Sequence, residues 1–236
     1  MLLNYLDFLA SFGVGGAHPG GLQLTKHIFS TENPDATKKI LDAGCGTGQT
    51  ASYIAENYGC PITALDKNKL MLEKANKRFR SLKLPIQAIY GDIEQLQFDD
   101  DSFELVLSES VLAFTTIPVA LSELKRVLKP NGAFIAVEIV LEQQLPQIER
   151  RAITEFYGFS QLLTEYSWNV LLQQAGFNQI TIETFNQEIE KDNLESAPDF
   201  SPSDNIDDSI LTIMDNHQHL SNKYKDILGF RIFRCS

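Results

Sequence analysis

The sequence predicts one α/β domain on a doubly wound, mostly parallel sheet, and three observations carry that prediction. Short apolar runs alternate with helix-patterned segments from Lys39 to Phe185, and this alternation requires a parallel sheet with right-handed crossovers. The first apolar run, Lys39 to Ala43, contains Asp42 and leads directly into glycines at alternate positions, Gly44, Gly46 and Gly48, followed by a helix start at Gln49. Strand, tight glycine turn and helix N-terminus form a unit that cradles a nucleotide, because glycine takes positive φ without a Cβ and the helix end presents unpaired N–H groups. The chain has 236 residues, 43% of them apolar, which suits a single domain with a sizeable core.

Leu2 to Phe12 carries Leu2, Leu3, Leu6, Leu9 and Ala10 at helical spacing and reads as an amphipathic helix. Gly13 to Gly21 is a glycine-dense loop, expected to be mobile without a ligand, and Leu22 to Ser30 resumes helix. After the glycine turn, Gln49 to Asn57 is helical, with Ala51, Ile54 and Ala55 on one face. Cys60 to Asp66 is the second strand, and Asn68 to Arg80 the next helix, N-capped by Asn68. Pro85 to Tyr90 and Phe103 to Ser108 are the third and fourth strands, separated by a solvated acidic loop, Asp99 to Asp101. Leu121 to Leu128 is helix, stopped by Pro130-Asn131-Gly132, and Ala133 to Val140 is the fifth strand.

Beyond Leu145 the pattern changes. Leu145 to Tyr157 and Leu162 to Ala175 read as helices, the second ending at Gly176. Phe177 to Phe185 alternates as a half-exposed strand does. Glu188 to Asp208 is acidic and polar and reads as a loop, Ile210 to Tyr224 as a short helix, and Leu228 to Cys235 as a last strand. His217 and His219 have no third ligand nearby and read as solvated, and no metal site is expected.

Composition narrows the function. A formal charge of -11 disfavours nucleic acid and anionic membrane surfaces as partners. Cys45, Cys60 and Cys235 give neither a disulfide framework nor a zinc pattern, so a reducing cytoplasm is the expected setting. The N-terminal apolar run is interrupted by Asp7 and lacks a basic region, so neither a signal peptide nor a membrane span is expected.

A dinucleotide fingerprint places its third glycine where Gln49 stands. That argues against an oxidoreductase, which stays as the alternative enzyme, and a purely structural strand–helix turn could use the same glycines. Four stretches together decide the matter: LDAGCGTG (Leu41 to Gly48), Leu65-Asp66 followed by KNKLMLEKA, Tyr90-Gly91-Asp92-Ile93, and LSELKRVLKPNGAFIAVE (Leu121 to Glu138). In these the chain resembles the class I S-adenosylmethionine (SAM) dependent methyltransferases of the small-molecule type, over roughly 38–185.

The resemblance implies a Rossmann-like, seven-stranded sheet of order 3-2-1-4-5-7-6 with the last strand antiparallel. It divides the chain into an N-terminal helical cap (1–37), a cofactor-binding core (38–185) and an acidic insertion with the last strand (186–236). It implies SAM as cofactor, S-adenosylhomocysteine as product, and a set of binding residues. Asp66 would take the ribose diol and Asp92 the adenine amino group, with Lys67 beside them and Met71 and Ile93 as apolar walls. Gly44, Cys45, Gly46 and Gly48 would carry the methionine moiety, with Asp42 supporting the turn. Ser108 would lie at the pocket floor, and Gly20 and Gly21 would come near the cofactor from a His-Pro-Gly-Gly segment similar to one found before the glycine turn in some members.

Methyl transfer from a sulfonium asks mainly for positioning, and a general base only for an acceptor protonated at neutral pH. Candidate catalytic residues are His18, Glu109 and Tyr157, with Trp168 as an aromatic wall. The Asn/Asp-Pro-Pro-Tyr segment of base-methylating relatives is absent after the fourth strand. The expectation is therefore methyl transfer to a small-molecule acceptor. A SAM-binding protein without transfer activity is the alternative from another class.

Overall fold

The computed structural model describes residues 3–185 and 199–236. In chain order the elements are α1 (Tyr5–Phe12), β1 (Val14–Gly15), α2 (Gly21–Glu32), β2 (Ile40–Ala43), α3 (Gln49–Tyr58), β3 (Ile62–Asp66), α4 (Lys69–Ser81), β4 (Ala88–Tyr90) and β5 (Phe103–Glu109). A 3-10 turn at Leu112–Phe114 precedes α5 (Ile117–Val127), β6 (Leu128–Leu141), α6 (Gln147–Tyr157), α7 (Glu165–Gln174) and β7 (Ile180–Glu183). β8 (Asp199–Phe200), α8 (Asp208–Tyr224) and β9 (Leu228–Cys235) complete the chain.

Seven strands form one sheet in the order β4-β3-β2-β5-β6-β9-β7. Counted along the sheet-forming strands, this is the 3-2-1-4-5-7-6 order that the resemblance implies, with β9 antiparallel to both neighbours. The central strands bury both faces, as parallel strands between helical layers must. On one face Leu24, Ile28 and Phe29 of α2 and Ile54 of α3 pack on Ile40, Leu105, Leu107 and Val137. On the other, Leu121, Leu124 and Val127 of α5 and Trp168 and Leu172 of α7 pack on Leu41, Val106, Phe134 and Phe233. A separate aromatic cluster joins α1, α6 and α8 above the carboxyl ends of the strands, centred on Tyr5, Phe8, Tyr157, Phe159 and Tyr224.

Several boundaries differ from the sequence expectation. β6 begins at Leu128, before the proline: Asn131 takes φ +65, and the register against β5 shifts between Phe103 and Leu105, so the Pro-Asn-Gly turn is absorbed as an irregularity in the strand. α7 starts at Glu165, where the Thr164 hydroxyl accepts the Ser167 N–H, and Leu162 is a buried loop residue. The glycine-dense loop contains β1, paired antiparallel with β8. A two-residue strand has no periodicity for sequence reading to find. β8 is tied to α4 by ion pairing of Arg78 with Asp199, and the Lys74 ammonium of α4 donates to the carbonyls of Ser11 in α1 and Ser201 just after β8. Most of the expected acidic loop, 186–198, lies outside the described residues. Cys45, Cys60 and Cys235 are buried free thiols. Among the described residues no helix is long and apolar enough to cross a membrane.

Candidate functional site

A cavity of about 490 Å³ opens at the carboxyl ends of β2, β3, β4 and β5 and continues under the aromatic cluster. Its first half is built by the glycine turn. The Gly44 and Cys45 amides both donate to the Leu65 carbonyl, at 2.8 and 2.9 Å, folding the turn back onto the end of β3. The three glycines do different work. A Cβ at Gly44 would strike Val111, and one at Gly48 would meet the buried Phe79 ring at 2.6 Å, so those two let neighbouring elements close up. Gly46, at φ +50, has open space where a Cβ would stand, and it lines the cavity.

Asp66 ends β3. Its carboxylate accepts the Gly46 N–H at 2.9 Å and the Asn68 N–H at 2.8 Å, which leaves each oxygen a further lone pair toward the cavity. Burial raises its pKa, against the lowering effect of those amides. Asp42 is buried on β2, and its Oδ2 has no hydrogen-bond partner among the described residues. Burial first, then the charges of Glu109 and Asp66, push its carboxyl well above the usual range. Glu109 ends β5, where its carboxylate accepts the Thr25 and Thr50 hydroxyls at 2.8 and 2.7 Å, and His18 Nε2 stands 3.4 Å away. Three carboxylates thus gather at one end of the cavity, an environment that favours a cationic group.

The second half is apolar and aromatic. Tyr157 sits edge-on to Tyr5 at 4.8 Å between ring centres and stacks on Phe159 at 5.0 Å. Its hydroxyl meets His217 Nδ1 at 3.1 Å. Burial raises the Tyr157 pKa and lowers that of His217. Phe114, Ile139 and Tyr224 complete the walls.

Of the residues named from the sequence, Asp42, Gly44, Cys45, Gly46, Asp66, Lys67, Met71, Asp92 and Ile93 all line this cavity, as do His18, Glu109 and Tyr157. Four others do not line it. Gly48 and Ser108 are taken up by packing, Ser108 being wholly buried, and Gly20 caps α2 with Gly21 as that helix's first residue. Trp168 is no cavity wall either: it is buried in the core beneath the sheet, its indole N–H donating to the Ile139 carbonyl at 3.0 Å. His217, expected to be solvated, is drawn half inside by the tyrosine contact.

Sequence reasoning missed Thr25, Thr50, Tyr5 and, above all, Glu138. Glu138 is fully buried on β6, where its carboxylate accepts the Val111 and Leu112 N–H groups at 3.1 and 2.9 Å. A lone acid inside the apolar run AFIAVEIVL was the available signal.

Comparisons with known proteins identify the family and the fold. Residues 41–136 match the family model described as a methyltransferase domain. A protein named uncharacterized methyltransferase YodH from Bacillus subtilis (strain 168) is 40% identical over 98% of this chain and 97% of its own length. A demethylmenaquinone methyltransferase of Staphylococcus epidermidis (strain ATCC 35984 / DSM 28319 / BCRC 17069 / CCUG 31568 / BM 3577 / RP62A) is 33% identical over 65% of this chain and 66% of its own. Among solved structures, a Haemonchus contortus phosphoethanolamine N-methyltransferase 2 in complex with S-adenosyl-L-methionine superposes with a TM-score of 0.77 at 18% identity. That match covers 98% of this chain but 56% of the matched chain, and it speaks for the fold alone.

Proposed function

Because the chain belongs to the class I SAM-dependent methyltransferases, we propose that it transfers the methyl group to a small molecule enclosed in the aromatic half of the cavity. One observation carries the reading: a single cavity joins the glycine turn and its carboxylates to a chamber walled by Tyr5, Phe114, Tyr157 and Phe159. The residues suit the cofactor. Open space at Gly46 admits close approach, Asp66 keeps lone pairs for a diol, and the unpartnered Asp42 Oδ2 lies in a cluster suited to a cation. When bound, SAM supplies a methyl already activated on a sulfonium.

In this assignment Asp66 holds the ribose and Asp92 the adenine amino group, while Met71 and Ile93, both buried, flank the adenine. The backbone from Gly44 to Thr47, with Asp42 and Glu109 behind it, receives the amino-acid end. His18 then belongs to the cofactor end through Glu109, and Tyr157 to the acceptor end. The chain's own contribution to rate is orientation and exclusion of water, since the walls are apolar. A walled chamber and a formal charge of -11 both disfavour a nucleic acid as acceptor. The buried free thiols fit a reducing, cytoplasmic setting.

Asp66→Ala should weaken S-adenosylhomocysteine binding by about 10-fold to 100-fold in calorimetry, from losing about 1.5–3 kcal/mol of hydrogen bonding. Unchanged affinity would remove Asp66 from the site. Incubation with methyl-labelled SAM and a deproteinised cell extract should put label into small molecules, identified by mass spectrometry. Salt-sensitive labelling of added RNA or DNA would overturn the acceptor class.

A further inference from the structure

Glu138 lies where the two halves of the cavity meet. Its Oε1 holds the amides of Val111 and Leu112, and the Val111 side chain packs against Gly44 of the cofactor turn. The next residues of that segment, Ala113 and Phe114, and the neighbouring Ile139 already line the aromatic half. The second oxygen, Oε2, is buried, has no hydrogen-bond partner among the described residues, and belongs to a residue lining the cavity. A buried carboxylate oxygen without a partner is costly. The amide bonds to Oε1 account for the loop geometry but leave Oε2 unexplained.

We propose that Glu138 faces the point of methyl transfer and takes the proton of an O–H or N–H acceptor. The proposal rests on the cofactor placement argued above. In the step, a lone pair on the acceptor's oxygen or nitrogen forms the new bond to the methyl carbon. The C–S bond breaks with its electrons staying on sulfur, and the acceptor's proton passes to Oε2, from which water later removes it. Burial pushes the Glu138 carboxyl up to about 8, opposed by the amides of Leu112, Val111 and Ala113. That suits a base working near neutral pH. The charged groups on neighbouring strands are otherwise engaged: Arg231, opposite on β9, pairs with Glu142 and Glu165, and Glu109 on β5 holds Thr25 and Thr50. Tyr157 on α6 and His217 on α8 face the same cavity and contact each other.

The test needs no knowledge of the acceptor. Sinefungin carries an amine where SAM carries its transferable methyl, and S-adenosylhomocysteine has nothing there. The intact protein should bind sinefungin about 10-fold to 100-fold more tightly than S-adenosylhomocysteine near pH 9, and the preference should fade toward pH 6 as Glu138 takes up its proton. In Glu138→Gln the amide carbonyl can still accept the Val111 and Leu112 N–H groups. The preference should then fall to about one at every pH while S-adenosylhomocysteine affinity is kept. A wild type without the preference, or a variant that retains it, would overturn the proposal with the cofactor reading intact. Failure of the wild type to bind S-adenosylhomocysteine at all would overturn both. The wild-type comparison stands even if the variant does not fold.

Discussion

Alanine at Gly48 and alanine at Gly46 should separate two properties that the glycine turn combines. Gly48 has φ +75, and a Cβ there would stand 2.6 Å from Phe79 Cζ and 3.1 Å from Ala75 Cβ. Phe79 is fully buried between α3 and α4, so the ring has nowhere to move. A side chain in the left-handed region costs about 1–2 kcal/mol, and overpacking a dense core about 1–3 more. Gly48→Ala should therefore lose about 2–5 kcal/mol, which for a domain of this size lowers Tm by about 4–20 °C. The Gly46 backbone has φ +50 with open space around it, so Gly46→Ala pays only the first cost, about 1–2 kcal/mol. Its new methyl group, however, projects into the open space proposed above for the cofactor. Circular-dichroism melts give stability, and calorimetry with S-adenosylhomocysteine well below both melting points gives affinity. Gly48→Ala should melt early yet bind when folded, and Gly46→Ala should melt only about 2–8 °C below the wild type and bind at least tenfold more weakly. A Gly48 variant with unchanged Tm, or a Gly46 variant with unchanged affinity, would refute the division of roles.

Three further outcomes follow from the packing and electrostatics. Trp168→Ala should cost about 3–5 kcal/mol in urea unfolding, because it empties a fully buried site and leaves the Ile139 carbonyl without its indole donor. Glu138→Gln should flatten the pH dependence of stability: the native state keeps that proton up to about 8 while the unfolded chain releases it near 4.5, so wild-type stability falls as pH rises between those values. Relative to the variant the drop should reach at most about 5 kcal/mol in chemical denaturation series. Amide exchange in residues 3–24 should slow when S-adenosylhomocysteine is added, since β1 and the loop carrying His18 edge the cavity. Equal exchange in the two states would make this segment a static packing element.

The glycine turn and the acid at the end of β3 were legible as cavity-lining residues because they are local in sequence. Strand, turn and the acid at the end of the next strand lie between Lys39 and Asp66, and each position is dictated by a backbone requirement with a residue signature. The sheet order followed from the resemblance. Glycine, though, carries no label distinguishing ligand contact from helix packing, so Gly48 was read with Gly46 although it serves Phe79. Trp168 was misplaced for a related reason: aromatic residues at helical spacing look alike whether they face a chamber or the core. The Glu109 cluster draws Thr25, Thr50 and His18 from three separate segments, and no spacing rule links them. Glu138 was hidden inside an apolar strand, where periodicity treats a charge as noise.

The roof over the aromatic half of the cavity is made by α1 and α8, elements roughly 200 residues apart that meet through Tyr5, Phe8 and His217. The strand–turn–strand unit from Lys39 to Asp66 is local in sequence, whereas the roof needs α1 and α8 to meet across the whole intervening sheet. Loop-closure entropy makes such a contact among the latest to form and the cheapest to undo. Substitutions in α1 or α8 therefore alter the chamber without touching the strands that carry the glycine turn and its carboxylates. Over evolutionary time this would let one scaffold exchange acceptors by rewriting two peripheral helices, with the methyl donor and its carboxylates inherited unchanged.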